Sequence, residues 1–190
     1  VRLTDTGTVA ATVLSGIGGT TDGTVTVAGA MTITGSTEQI KNALVTESSK
    51  VIATTSANVT FVGDNPTGAE LADINDAAGG TITLADVTQT FTGTAAQMKS
   101  AFAGGLAGTQ TGAVKISDTT GTIAATTLTD ITAQTSGTVT AAAAGITISG
   151  TTEEVTAAIV TTETKAVMEN GAVRLTDTGT VAATVLSGIG

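Results

Sequence analysis

The chain has 190 residues and a formal net charge of −9, and it contains neither histidine nor cysteine. These absences exclude imidazole and thiolate catalysis and metal sites built on His or Cys, so that only oxygen ligands, which suit calcium or magnesium, remain. The negative charge argues against nucleic acid and anionic membranes as partners, and the 41% of hydrophobic residues argues against a disordered chain.

The sequence is built from repeats. Residues 1–18, VRLTDTGTVAATVLSGIG, occur again without change as residues 173–190, and two diverged copies begin at Val59 and Val114. We therefore divide the chain into three repeat units and the start of a further period, namely 1–58, 59–113, 114–172 and 173–190. Repeats of this length are typical of stacked architectures, in which each unit buries its apolar face against its neighbours.

The first half of each unit predicts a strand followed by a short helical turn. The strand starts at the valine that opens the unit, and a leucine and an isoleucine three residues apart follow it. This spacing places both apolar side chains on one side of a helical turn. The pairs are Leu14 with Ile17, Leu71 with Ile74, and Leu128 with Ile131.

The second half of each unit predicts further strands and a longer helix. A glycine, at position 23, 80 or 137, precedes alternating segments such as GTVTV. A Ser or Thr with Gln or Glu three residues later then forms the capping box that begins a helix. The predicted N-cap residues are Ser36, Thr94 and Thr151, and the apolar pairs expected to face the core are Ile40 with Leu44, Met98 with Phe102, and Val155 with Ile159.

These elements predict a mainly β fold with short helices, arranged as a parallel β-solenoid of strand–turn–helix coils of about 29 residues. A coil of this size cannot bury its apolar face alone, whereas stacking on its neighbours does so. The alternative is a string of small antiparallel β domains, since GTVTVAGAMTITG, residues 23–35, has the pattern of a hairpin.

An aspartate recurs at the corner between strand and helix. These residues are Asp5, Asp64, Asp118 and Asp177. A carboxylate near Thr hydroxyls and carbonyls is a candidate calcium ligand, but an aspartate at a turn or helix entry also accepts backbone N–H groups. Neither an EF-hand loop nor the GGxGxDxUx β-roll signature is present, so we interpret the four as turn residues and keep calcium as the alternative. No other metal or cofactor is expected.

Threonine pairs at i and i+2 form a second set, and in a strand such pairs lie on one face. They are Thr4/Thr6, Thr24/Thr26, Thr32/Thr34, Thr81/Thr83, Thr90/Thr92 and Thr138/Thr140. Stacked strands of this kind would present a lattice of hydroxyl and methyl groups, which is the surface chemistry of an ice-binding protein. The simpler interpretation is that Thr, a good β-former, lines the solvent face.

The motifs LTDTGTVAATVL, ISDTTGTIAATTL, TITGSTEQI and TISGTTEEV resemble the Thr/Ala/Gly-rich tandem repeats of very large secreted bacterial surface proteins, cyanobacterial ones in particular. The likeness extends over essentially the whole chain and departs at VGDNPTGAEL in the second unit. It implies display outside the cell or on its surface, in adhesion, a filament or a surface layer, and it identifies no site residue.

We therefore predict a structural protein, a repeat segment of an extracellular filament or giant surface protein that associates with itself or continues end to end. The alternative is a binding module, either ice-binding or a calcium-dependent adhesin. No enzyme is predicted, because no nucleophile–base arrangement or phosphate-binding loop is present. The expected partner is the chain itself, with no nucleic acid and no membrane insertion, since the sequence has no apolar run long enough to span a bilayer.

Overall fold

The computed structural model describes residues 1–4, 6–27, 29–53, 57–103, 105–161 and 166–189. They form two compact units, Val1–Val87 with Ser100–Gly108, and Thr88–Lys99 with Thr109–Gly190. Both units are α/β. Each contains two small sheets, and every pairing between the described strands is parallel.

Fourteen strands and seven α-helices lie in the described ranges. The strands are β1 (Arg2–Leu3), β2 (Thr8–Ala10), β3 (Val25–Val27), β4 (Thr32–Gly35), β5 (Val51–Ala53), β6 (Ala57–Phe61), β7 (Gly79–Thr83), β8 (Phe91–Gly93), β9 (Val114–Ile116), β10 (Thr120–Ala124), β11 (Val139–Ala141), β12 (Gly145–Gly150), β13 (Ala166–Met168) and β14 (Ala172–Leu175). The helices are α1 (Ala11–Thr20), α2 (Thr37–Leu44), α3 (Gly68–Ala78), α4 (Ala95–Ala103), α5 (Ala125–Thr132), α6 (Thr152–Val155) and α7 (Ala183–Ile189). A 3-10 turn, Glu47–Ser49, follows α2, and a π-helical segment, Thr156–Val160, extends α6.

The first unit contains the sheets β1-β3-β5 and β2-β4-β6-β7. Between two strands that are neighbours in a sheet, the chain passes through a helix, because parallel strands need a crossover connection. Ile33, Val59 and Ile82 are successive partners across the second sheet, and all three are fully buried. Helix α2 packs against both α1 and α3. The core is therefore a row of aliphatic side chains between the strands and the helices.

The second unit contains the sheets β8-β9-β11-β13 and β10-β12-β14. Phe91, Val114 and Val139 are successive partners across the first of them, and their side chains are buried. Helix α5 packs against α6 and its π-helical extension, and α7 packs against that extension. In both units, burial of small and medium aliphatic side chains supplies the main stabilisation, because the chain has only three aromatic residues, all Phe.

The predicted β-solenoid is wrong, since the described residues form an α/β structure with four small parallel sheets and seven α-helices. The strands have two to six residues, whereas α1 and α3 have 10 and 11. The i, i+3 spacing of Leu14 and Ile17 predicted only a short helical turn there, and the segment ATVLSGIGGT of α1 is rich in Gly and β-branched residues, which are poor helix formers. Burial of Ala11 and Leu14 against neighbouring elements forms a complete helix there.

The alternative of small antiparallel β domains is also wrong. The predicted hairpin would pair β3 with β4, but these strands lie in different sheets, and each pairs in parallel with strands before and after it in the chain. Strands β3 and β4 therefore follow one another in the chain but do not form hydrogen bonds with each other. Among the residues that the structure describes, no helix combines the length and the apolar character needed to cross a bilayer.

Candidate functional site

Four helices, α2, α3, α4 and α6, begin with capping boxes, whereas α1 and α5 begin after an alanine that caps neither. In α2, the Ser36 hydroxyl accepts the Gln39 N–H (3.4 Å), and the Gln39 side chain accepts the Ser36 N–H (3.0 Å). Thr151 and Glu154 make the same reciprocal pair at α6, with distances of 3.2 and 2.8 Å. Thr94 with Gln97 and Thr67 with Glu70 complete the set. These bonds satisfy two of the N–H groups that every helix N-terminus leaves without an intrahelical partner.

The recurring aspartates supply a third bond to three of these helices, α2, α4 and α6, and each aspartate lies after the helix that it binds in the chain. The Asp64 carboxylate accepts the Thr37 N–H of α2 (3.2 Å), and the Asp118 carboxylate accepts the Ala95 N–H of α4 (2.7 Å). Asp177 accepts both the N–H (2.7 Å) and the hydroxyl (2.6 Å) of Thr152 in α6. A carboxylate at this end of a helix also interacts favourably with the helix dipole.

These contacts define what the candidate calcium residues do in this structure. Asp64, Asp118 and Asp177 each bind a different helix, and no group of three or more acidic residues able to hold a metal lies in the described ranges. Asp5 lies outside the described residues. The Thr152 hydroxyl, and then the Thr152 N–H, lower the pKa of the Asp177 carboxyl below its usual value, so the charged form is the one these bonds favour.

The sequence interpretation placed these aspartates at turns but missed their partners. Each carboxylate binds the helix of the preceding repeat and not the helix that follows it in the chain. The signal is present in the sequence, because Ser36, Thr94 and Thr151 are each followed after 24 to 28 residues by one of the aspartates. Reading the capping box and the later aspartate as one motif would have predicted the contact between repeats.

The threonine pairs form one continuous surface and several interrupted ones. On the sheet β2-β4-β6-β7, Thr34, Thr60 and Thr83 are neighbours in one row, and Thr8 and Thr32 are neighbours in the next. All five are half-buried or exposed. We call this set the threonine face. On the sheet of β8 and β9, the equivalent row reads Thr92, Lys115, Thr140 and Val167. Thr4 and Thr6 lie outside the strands, and Thr24, Thr90 and Thr138 precede one.

The two identical 18-residue segments make different contacts. In residues 1–18, β1 pairs with β3, β2 pairs with β4, and Leu14 is fully buried. In residues 173–190, β14 pairs with β12, while Leu186, the equivalent of Leu14, is 46% exposed. An open pocket of about 440 Å³ lies beside it, lined by Met168, Gly171, Val173, Leu175, Leu186 and Ile189. The second copy therefore pairs with the repeat that precedes it, and Leu186 lacks the burial that Leu14 has in the first copy.

No family model matches this chain, and no curated protein or solved structure is significantly similar to it. The contacts described above are thus the basis for any functional proposal.

An ion pair adds a further contact between successive repeats in the first unit. The Lys41 ammonium of α2 lies 2.8 Å from Oε1 of Glu70 in α3. The bond from Lys41, followed by the Thr67 N–H, lowers the pKa of Glu70, and the same bond to Glu70 raises the pKa of Lys41. Both side chains remain partly exposed to solvent, which limits the stabilisation from such a pair to about 1 kcal/mol or less.

Proposed function

We propose that the chain is a structural repeat protein whose activity is association with copies of itself, or continuation by further repeats, along the direction in which the repeats follow one another. The observation that carries this proposal is the docking of residues 173–175. This segment, identical to residues 1–3, adds to the edge of β12 as the next parallel strand, and Asp177 caps α6 beside it. A repeat of the opening sequence is thus bound as the next layer.

The strand edges support the same proposal. Strands β1, β6, β9 and β14 are the strands with which the successive sequence repeats open. Of these four, β6 and β9 each have two neighbouring strands in their sheets. Among the described strands, β1 has one neighbour, β3, and β14 has one neighbour, β12, so both are edge strands, as are β2, β5, β7, β8, β10 and β13. An edge strand presents N–H and C=O groups that pair readily with another strand. The strand that we expect to pair with such an edge is one from a further copy of the repeat, because residues 173–175, which repeat residues 1–3, already pair with β12 in this way.

A structural role outside the cell is also part of the proposal. The contacts described above are helix caps, strand pairings and the ion pair of Lys41 with Glu70, all of which hold the repeats together. A sequence without histidine and cysteine also has few groups for catalysis. The resemblance of LTDTGTVAATVL and TITGSTEQI to the repeats of secreted bacterial surface proteins favours the extracellular space or the cell surface. A net charge of −9 favours the solubility of an extended assembly.

Sedimentation velocity of the purified chain over a wide concentration range tests the proposal. We expect species larger than the 18.3 kDa monomer to increase with concentration and to form a series of multiples of that mass. A single monomeric boundary at every concentration would contradict self-association. A closed dimer with no larger species would contradict growth along the repeat direction, because a contact between two different surfaces continues from copy to copy.

The threonine face supports a second candidate, ice binding. Neighbouring strands lie about 4.8 Å apart, so Thr34, Thr60 and Thr83 present a regular row of hydroxyl and methyl groups. Thermal hysteresis of the chain, compared with Thr60→Lys and with the control Thr122→Lys on the sheet β10-β12-β14, tests it. Ice binding predicts hysteresis that Thr60→Lys removes and Thr122→Lys retains. A chain without thermal hysteresis would exclude this candidate.

A further inference from the structure

The strand β9 shows the complete surroundings of the segment that opens each repeat unit. On one side, Phe91, Thr92 and Gly93 of β8 are the partners of Val114, Lys115 and Ile116. On the other side, the partners of the same three residues are Val139, Thr140 and Ala141 of β11. The Asp118 carboxylate caps α4, and the Ser117 N–H donates to the Gly93 carbonyl at 2.9 Å.

The two identical segments each have one half of these surroundings. Val173, Arg174 and Leu175 pair with Ile148, Ser149 and Gly150 of β12, in the register that β9 has toward β8. The Asp177 cap and the bond from the Thr176 N–H to the Gly150 carbonyl (2.9 Å) match those of Asp118 and Ser117.

The opening segment has the other half. Arg2 and Leu3 pair with Thr26 and Val27 of β3, in the register that β9 has toward β11. Because residues 1–18 and 173–190 have the same sequence, one such segment is able to make both sets of contacts at once. The β12 edge of one copy and the β3 edge of another are the two surfaces that it would join.

We propose that two copies of the chain join by sharing one 18-residue segment, so that residues 1–18 of one copy take the place of residues 173–190 on β12 of the other. This junction rests on the proposed self-association and specifies its register. Arg2 lies opposite Ser149 of the second copy, and α1 takes the position of α7, where Leu186 is now half exposed. Leu14 keeps the cover that it has within its own chain.

The exchange replaces one segment by an identical one, so the contacts to β12 are conserved. Residues 173–190 of the same chain compete for β12 with the advantage of a high effective concentration, which is on the order of millimolar for a short tether. The junction is therefore expected at high chain concentration, and a change that weakens residues 173–190 alone is expected to increase it. Asp177→Ala is such a change, because the incoming segment brings its own aspartate.

Two cysteines introduced into the full chain test the register, since the chain has none of its own. In Arg2→Cys/Ser149→Cys, the junction places the two thiols on neighbouring strands, where a disulfide forms between Cα atoms less than about 7 Å apart. The matched control is Arg2→Cys/Ala124→Cys. Ala124 is the partner of Ser149 on β10, one strand further away, so it would lie about 10 Å from position 2.

We expect mild oxidation to give a ladder of disulfide-linked multimers on a non-reducing gel for the Ser149 pair, and only traces for the Ala124 pair. Adding Asp177→Ala is expected to raise the multimer yield about fivefold, the factor for a typical helix cap, whereas Asp118→Ala, which removes the same cap at α4, leaves the yield unchanged. Absence of the ladder, or equal ladders for the two pairs, would overturn the shared-segment junction. If the wild-type chain nevertheless sediments as multimers, self-association stands and this register is wrong; a chain that also remains monomeric contradicts both.

Discussion

Gly18 in α1 packs closely against Ser49 in the 3-10 turn that follows α2. A Cβ built at this position would lie 1.6 Å from the backbone oxygen of Ser49 and 2.7 Å from its carbonyl carbon. Ser49 is held in place, because its hydroxyl oxygen lies 2.7 Å from the carbonyl oxygens of both Ala43 and Thr46 and its single proton is donated to one of them at a time. The substitution Gly18→Ala therefore requires the helix or the 3-10 turn to move.

The size of the effect follows from this geometry. Real Cβ contacts are essentially never shorter than 3.0 Å, so α1 and Ser49 must separate by at least 1.4 Å, the difference between 3.0 and 1.6 Å. Overpacking of a well-packed site typically costs about 1–3 kcal/mol, and a clash with fixed backbone falls at the upper end. Replacing Gly by Ala in a helix returns about 1 kcal/mol. We expect a net loss in the free energy of unfolding of about 2 kcal/mol.

Gly16, in the same helix, is the matched control. A Cβ there has no atom within 4 Å, so Gly16→Ala is expected to stabilise the chain by up to about 1 kcal/mol. Urea denaturation followed by far-UV circular dichroism measures both variants, since the chain lacks Trp and Tyr for fluorescence. A Gly18→Ala chain as stable as Gly16→Ala would refute the close packing of α1 against the Glu47–Ser49 turn.

Three further substitutions and one ligand experiment give expected outcomes. Asp118→Ala removes the cap on Ala95 and is expected to lower the free energy of unfolding by about 0.5–2 kcal/mol in the same urea assay; an unchanged midpoint would contradict the capping role. Glu70→Gln is expected to cost about 1 kcal/mol or less at neutral pH. The contact with Lys41 lowers the folded pKa of Glu70, so its stabilisation is present above the unfolded pKa, about 4.3, and is lost as pH falls through the folded value. The free energies of unfolding of the wild type and of Glu70→Gln should therefore become equal in acid and differ at neutral pH. Leu128→Ala, at a fully buried site, is expected to cost about 2–5 kcal/mol, and a smaller loss would indicate a loosely packed core. Melting curves in millimolar calcium and in chelator are expected to coincide, whereas a higher Tm with calcium would restore the calcium-dependent adhesin.

Local motifs were the most predictable part of the fold. The capping boxes at Ser36 and Thr151 begin helices as their spacing predicted, because the two reciprocal bonds depend only on residues three apart. The leucines at 14, 71 and 128, which the repeat alignment placed at equivalent positions, are all buried. Both results follow from interactions within a few residues or from a pattern present in every unit.

The fold class was not predictable in the same way. Helix α1 forms from a sequence of poor helix formers because it packs against α2 and the Glu47–Ser49 turn, with Ala11 and Leu14 buried, and this stabilisation is absent from any local pattern. The partner of each corner aspartate was missed for a related reason. Asp118 and Ala95 are 23 residues apart, so the contact exists only once the repeats are packed.

Negative-stain electron microscopy of the chain, at concentrations where sedimentation shows multimers, tests end-to-end association most directly. We expect unbranched linear particles of variable length, because each added copy leaves the edge of β12 at one end and its own residues 1–18 at the other, and these are the two parts that the next junction joins. Compact particles of uniform size at every concentration would contradict it.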